Sequence, residues 1–249
     1  MTCCQLPSWL IFFSILFIEF SIAIASIAYT PEAVLDQVTY LPGSQYINIS
    51  FNHFSGYLNV SSTLYEGSNY HLHYWFIESL NAPTTDPVVL CKYECAVNFV
   101  CIILLTHLRL GTNGGPGCSG LFGLLSEIGP FFPREDKTLV SNPNTWSAYA
   151  NILFIESPSG VGFSYSDSPD DYTFNDELTA DMNDALIRQF LNRFPHLYTN
   201  DFYLASESYG GHYIPTLADK IIQTNLDTMN TFINLKGFLV GNPYVDRYF

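Results

Sequence analysis

Ser208 stands in the run Phe202-Tyr203-Leu204-Ala205-Ser206-Glu207-Ser208-Tyr209-Gly210-Gly211-His212-Tyr213. An apolar, strand-like stretch meets a serine whose neighbours at i−2, i+2 and i+3 are Ser206, Gly210 and Gly211, and a helix-like run from Tyr213 to Ile222 follows. This is the outline of a nucleophile elbow, where the serine sits at strained backbone angles and bulky neighbours would clash. The chemistry on offer is acyl transfer through a serine ester, which needs a general base. In strand–serine–helix architectures the partners follow in the order Ser, Asp/Glu, His. After Ser208 the residues given hold His212 alone among histidines, and Asp219, Asp227 and Asp246 have no histidine behind them. His212 reads as a packed or exposed helix residue with no orienting partner evident from sequence. The triad cannot close within these residues.

A second motif, Asn113-Gly114-Gly115-Pro116-Gly117-Cys118-Ser119-Gly120, can bring backbone close to a ligand and turn N–H groups outward. It lacks the GK[ST] of a phosphate loop, and no GxGxxG can be read from it. An anionic oxygen suits it better. An oxyanion hole combines the N–H after the nucleophile with one from a glycine-rich loop after an earlier strand, which nominates Tyr209 and Gly115.

These residues need a scaffold. Tyr70–Glu78, Pro87–Leu90, Asn151–Ile155, Asp201–Ala205 and Leu235–Val240 read as strands. Phe174–Phe194 reads as a helix from the spacing of Leu178, Met182, Ala185, Leu186, Phe190 and Phe194, with Pro195 as its stop. Strand, helix, strand, helix, strand indicates a mostly parallel α/β sheet.

The chain has 249 residues, 48% of them hydrophobic, enough for a buried core, so disorder is not expected. A net charge of −14 argues against nucleic acid or an anionic membrane as partner. Trp9–Ala25 is apolar apart from Glu19 and small polar residues, and Ala23-Ile24-Ala25 and Ser26-Ile27-Ala28 offer small-residue cleavage sites. Residues 1–28 are read as a secretory signal peptide, with no membrane attachment after its removal. Sequons at Asn48 and Asn59 fit that route as glycosylation sites. Cys91, Cys95 and Cys101, near His107, match no standard ligand spacing, so neither metal nor cofactor is expected. Cys118 has no evident disulfide partner.

The glycine motif, Gly123-Leu124-Leu125-Ser126-Glu127-Ile128-Gly129-Pro130-Phe131, Glu156-Ser157-Pro158-Ser159-Gly160-Val161-Gly162-Phe163-Ser164-Tyr165-Ser166 and the Ser208 run closely resemble the serine carboxypeptidase family. Leu41-Pro42-Gly43, Phe54-Ser55-Gly56-Tyr57-Leu58 and His71-Leu72-His73-Tyr74-Trp75-Phe76 look most like its lysosomal cathepsin A branch. The resemblance runs from about Asp36 to Asp246 with one interruption. It implies an α/β-hydrolase fold, here truncated after the elbow helix and one further strand, with residues 29–249 a partial domain. It implies Ser208 as nucleophile, Gly115 and Tyr209 as oxyanion donors, and Asn113, Gly114, Glu127 and Glu207 as the site for a substrate's terminal carboxylate. Two carboxyls can face a third when like charge keeps them protonated. The expected reaction is removal of C-terminal residues from peptides or proteins through an acyl-enzyme, in a lysosomal or secreted protein, with residues 1–249 alone inactive. Acyltransfer by the same elbow is the nearest alternative, and a non-catalytic protein that protects lysosomal hydrolases is another. A homodimer or a lysosomal hydrolase is the association the resemblance implies for the full-length protein.

Two departures from the family pattern stand out. Position 206, usually Gly, is Ser. Between Leu90 and Thr112-Asn113, where the family has a Trp and one more residue before the glycine motif, this chain carries Cys91–Gly111. Cys91-Lys92-Tyr93 can be encoded TGT-AAG-TAT, which contains a donor-like GTAAGT. Leu110-Gly111 can be TTA-GGG, which contains an acceptor-like TTAG. Joining the flanks restores TGG, Trp. Residues 91–111 are read as a non-native insertion, a translated intron. The other expected departure is that the family's catalytic Asp and His, and the partner of Cys118, follow Phe249.

Overall fold

In the computed structural model, the described residues are 27–61, 68–92 and 115–246. The signal peptide call, apart from residues 27 and 28, and most of the 91–111 segment therefore lie outside them, as do Asn113 and Gly114. Helix α1 (Pro31–Leu35) leads into strands β1 (His53–Ser61), β2 (Asn69–Ile77) and β3 (Val88–Lys92). Helix α2 (Leu121–Ser126), a small hairpin of β4 (Phe131–Pro133) and β5 (Leu139–Ser141), and then β6 (Asn151–Ile155) and β7 (Tyr165–Ser166) follow. The long helix α3 (Asp176–Arg193), strand β8 (Phe202–Glu207), helix α4 (Gly210–Thr224) and strand β9 (Leu235–Gly241) complete the order.

The main sheet runs β1-β2-β6-β3-β8-β9, with β7 beside β2. The β1–β2 and β2–β6 pairs are antiparallel, and β6, β3, β8 and β9 are mutually parallel. Both faces are covered, so the central strands are continuous apolar runs whose alternate side chains enter different cores. Val88, Leu90, Leu153, Ile155, Phe202 and Leu204 pack under α3 and α4, while Val89, Cys91, Ile152, Phe154 and Ala205 pack with Leu124 of α2 and Ile128.

The predicted strands and the 174–194 helix are all present, with ends displaced by a few residues. Helix α3 begins where Asn175 accepts the N–H of Leu178 as an N-cap, places Asp176 and Glu177 in its first turn and ends ahead of Pro195. Its Asp181 accepts Lys220 of α4 at 2.6 Å, which ties the two helices on one face. Strand β3 runs two residues further than predicted, with Cys91 opposite Phe154 and Ala205, and Lys92 opposite Ser206. The first two residues of the 91–111 segment therefore lie in the sheet.

Candidate active site

Ser208 opens the two-residue corner between β8 and α4 with φ 55°, a left-handed conformation uncommon for a residue with a side chain. Such strain persists only where surroundings over-determine it. Here the Ser208 N–H donates to Gly241 O at 2.9 Å, and its carbonyl accepts from Tyr244 at 2.7 Å and Gly211 at 3.0 Å. The small neighbours are needed for contact as well as for torsion. A Cβ on Gly211 would lie 2.4 Å from Tyr244 O, and one on Gly210 would lie 2.2 Å from Ser206 Oγ. The unusual Ser206 fits, because its hydroxyl packs on Gly210 and donates to the carbonyl of Lys92.

Tyr209 is the N-cap residue of α4, the position required of an oxyanion donor after the nucleophile. Its phenol donates to Asp176 at 3.2 and 3.3 Å, coupling the elbow to the start of α3. Pro116 and Gly117 of the glycine loop and Tyr209 of the elbow line one cavity of about 480 Å³, with Pro158, Asp176 and Tyr213. The loop that contains Gly115 thus reaches the start of α4. Gly120 presses so close to β6 that a Cβ there would sit 2.3 Å from Ile155 O.

Glu207 is 7% exposed at the end of β8, and Glu127 is the half-buried C-cap residue of α2. Burial, then the charge of Glu127, pushes the Glu207 carboxyl up to about 7. The Cys91 thiol lies in the same electrostatic neighbourhood and is pushed up to about 12 by burial, then by Glu127 and Glu207. The charge of Glu127 is thus felt at Glu207, second to burial.

His212 Nδ1 lies 3.7 Å from Asp176 Oδ2, near it but beyond hydrogen-bond reach. Its ring stacks on Tyr209 at 4.8 Å and packs against Tyr244 at 5.3 Å. Asp176 could not be paired with His212 from sequence, because the pairing depends on how the starts of α3 and α4 meet. One expectation is corrected: Cys118 is disulfide-bonded within residues 1–249 rather than to a cysteine beyond Phe249, and Cys91 is free. Asn48 is exposed in a loop and Asn59 is exposed on β1, where its Oδ1 lies 2.7 Å from His71 Nδ1. No group of three or more His, Cys, Asp or Glu side chains suited to a metal occurs among the described residues.

A mixed sheet with helices on both faces and a strained serine at a strand-to-helix corner define the class, an α/β-hydrolase. The sequence matches the profile of the serine carboxypeptidases over residues 42–91 and 108–249. It is 40% identical over 219 residues to serine carboxypeptidase-like 32 of Arabidopsis thaliana, covering 86% of this chain and 42% of that one. It is 41% identical over 224 residues to serine carboxypeptidase-like 22 of the same plant, covering 88% and 42%. The chain belongs to the serine carboxypeptidase family. It spans less than half the length of these relatives. Among solved structures, Kex1(delta)p, a prohormone-processing carboxypeptidase from Saccharomyces cerevisiae, superposes with a TM-score of 0.68 at 24% identity, over 87% of this chain and 45% of that one, a likeness of fold. The profile passes over residues 92–107, inside the segment that interrupts the resemblance.

Proposed function

We propose that the protein is a serine-type carboxypeptidase that removes C-terminal residues from peptides through an acyl-enzyme on Ser208. The observation that carries this reading is the Glu207 carboxyl, next in sequence to the nucleophile and pushed to about 7 by burial and by Glu127. A plain esterase has no need of a protonated acid pair beside its serine. A peptidase that recognises a free C-terminus gains from one, because a neutral carboxyl donates a hydrogen bond to a carboxylate. Asn113 and the Gly114 N–H are proposed to complete that subsite, with Gly115 and Tyr209 N–H groups stabilising the tetrahedral oxyanion. The Asp and His that activate Ser208 are proposed to come from the part of the family's length that this chain does not span, so residues 29–249 alone do not turn over. Entry into the secretory pathway, towards a lysosomal or extracellular destination, is proposed from the leader-like residues 1–28 and the exposed Asn48 and Asn59. No helix among the described residues is long and apolar enough to cross a membrane.

The test is binding of an N-blocked dipeptide with a free C-terminal carboxylate, against the same peptide as its C-terminal amide, from pH 5 to pH 8. The acid is expected to bind better at pH 5 and to lose about tenfold as Glu207 ionises, whereas the amide should change little. Equal binding of acid and amide would reject the carboxylate subsite. Ser208-dependent release of amino acids by residues 29–249 would show that the base lies within them.

A further inference from the structure

Glu156 directly follows β6 with its side chain 1% exposed. A buried charge is costly unless it is paired and hydrogen-bonded. Here one ion-pair contact and two hydrogen bonds reach it. His73 Nδ1 of β2 lies 3.0 Å from Oε2, the Phe163 N–H donates to Oε2 at 2.9 Å, and the Ser119 hydroxyl donates to Oε1. Burial would raise the acid's pKa, but the bonds from His73, Ser119 and Phe163 outweigh it and hold the group below the usual Glu value, so it is ionised. The backbone is shaped around it. Gly162 has φ 56°, and a Cβ there would fall 1.9 Å from Glu156 Oε1. His73 is itself held from behind, with Nε2 3.0 Å from Ser55 Oγ on β1. A parallel brace secures the far end of the same connection, where His71, two residues earlier on β2, reaches Asp167 at 3.0 Å and Asn59 at 2.7 Å.

The partner that matters is Ser119. It sits four residues after Gly115 in the glycine motif, and its Oγ also accepts the Leu121 N–H at the first turn of α2, the helix that ends at Glu127. We infer that Glu156 is a positioning residue for the glycine loop: clamped by His73, Phe163 and the Gly162 backbone, its carboxylate holds Ser119, and through it the loop and the start of α2, against β6. That this loop stabilises an oxyanion rests on the proposed function. The clamp itself does not.

Amide hydrogen exchange in the full chain, read by mass spectrometry on peptides covering 115–126 and 151–155, tests it. Ser119→Ala should speed exchange in the loop about tenfold or more, the loss of one charge-assisted hydrogen bond, and leave β6 unchanged. Ser119→Thr should restore protection, because it returns the hydroxyl. Glu156→Gln should loosen the loop as well. If Ser119→Ala leaves loop exchange as in the wild type, Glu156 is a strand-end residue without this role and the inference is wrong, even if Glu156→Gln fails to fold. The peptide-binding test is independent, so loss of acid-over-amide preference with intact loop coupling would overturn only the functional reading.

Discussion

Replacing Glu207 by Gln keeps the shape and the hydrogen-bonding capacity of the neutral acid and removes the charge. The folded carboxyl is displaced from 4.5 to about 7, first by burial and then by Glu127. The folded state therefore holds a proton that the unfolded chain has already released between those values. Stability from this group is fully present below the unfolded pKa and is lost as pH rises towards 7. The displacement from 4.5 to about 7, at 1.36 kcal/mol per unit, is worth about 3 kcal/mol. At about 2–4 °C per kcal/mol for a chain of this size, it is roughly 6–12 °C of melting temperature. Urea unfolding and thermal melts at pH 4.5, 6 and 8 should show wild type losing that amount across the range and Glu207→Gln staying flat, so the variant is the more stable protein at pH 8. Parallel pH curves for the two proteins would refute the reasoning. In Glu127→Gln the wild-type slope should persist in reduced form, because burial is the larger cause.

Glu156 predicts the opposite sign. Its pKa is held below the ordinary value, so its stabilisation exists at neutral pH and fades as pH falls through the folded value. Glu156→Gln should be less stable than wild type at pH 6, with the gap closing in acid, and a gap constant with pH by urea titration would count against this. Gly210→Ala forces a methyl against Ser206 and should cost about 1–3 kcal/mol; a double-mutant cycle with Ser206→Gly should recover most of it, and additive losses would show that the two do not touch. If residues 91–111 are a translated intron, mature message should encode Val88-Val89-Leu90-Trp-Thr112-Asn113, and messages that keep the segment throughout would dispose of the idea. The spliced protein should be the more stable in denaturant titration, since read-through places the Lys92 side chain, 1% exposed, in the core with its Nζ 3.4 Å from the Tyr213 ring centroid.

The parallel strands and α3 were legible because both sheet faces are covered and the helix spacing is regular. Strand β1 was not. The face it turns away from α3 carries His53, Ser55, Tyr57 and Asn59, polar groups that meet histidines and a loop rather than oil, so apolar alternation is masked. Helix α4 was expected from Tyr213 but starts at Gly210, because two glycines lower local propensity where contact with Ser206 and Tyr244 demands them. In the site, Ser208 and its small neighbours could be read from local motifs, whereas Glu127 and Glu207 were nominated only through the family resemblance. The Glu156–Ser119 and Asp176–His212 contacts join residues 37 and 36 positions apart, between elements whose approach only the folded sheet defines.

The hydrogen bonds that fix Ser208 run to Gly241 and Tyr244, at the end of β9. The strained corner at Ser208 is thus built by residues made well after it. During synthesis at about 5–20 residues per second, the 36 positions from Ser208 to Tyr244 take roughly 2–7 s. Until then Ser208 lacks two of the hydrogen bonds that hold its left-handed backbone.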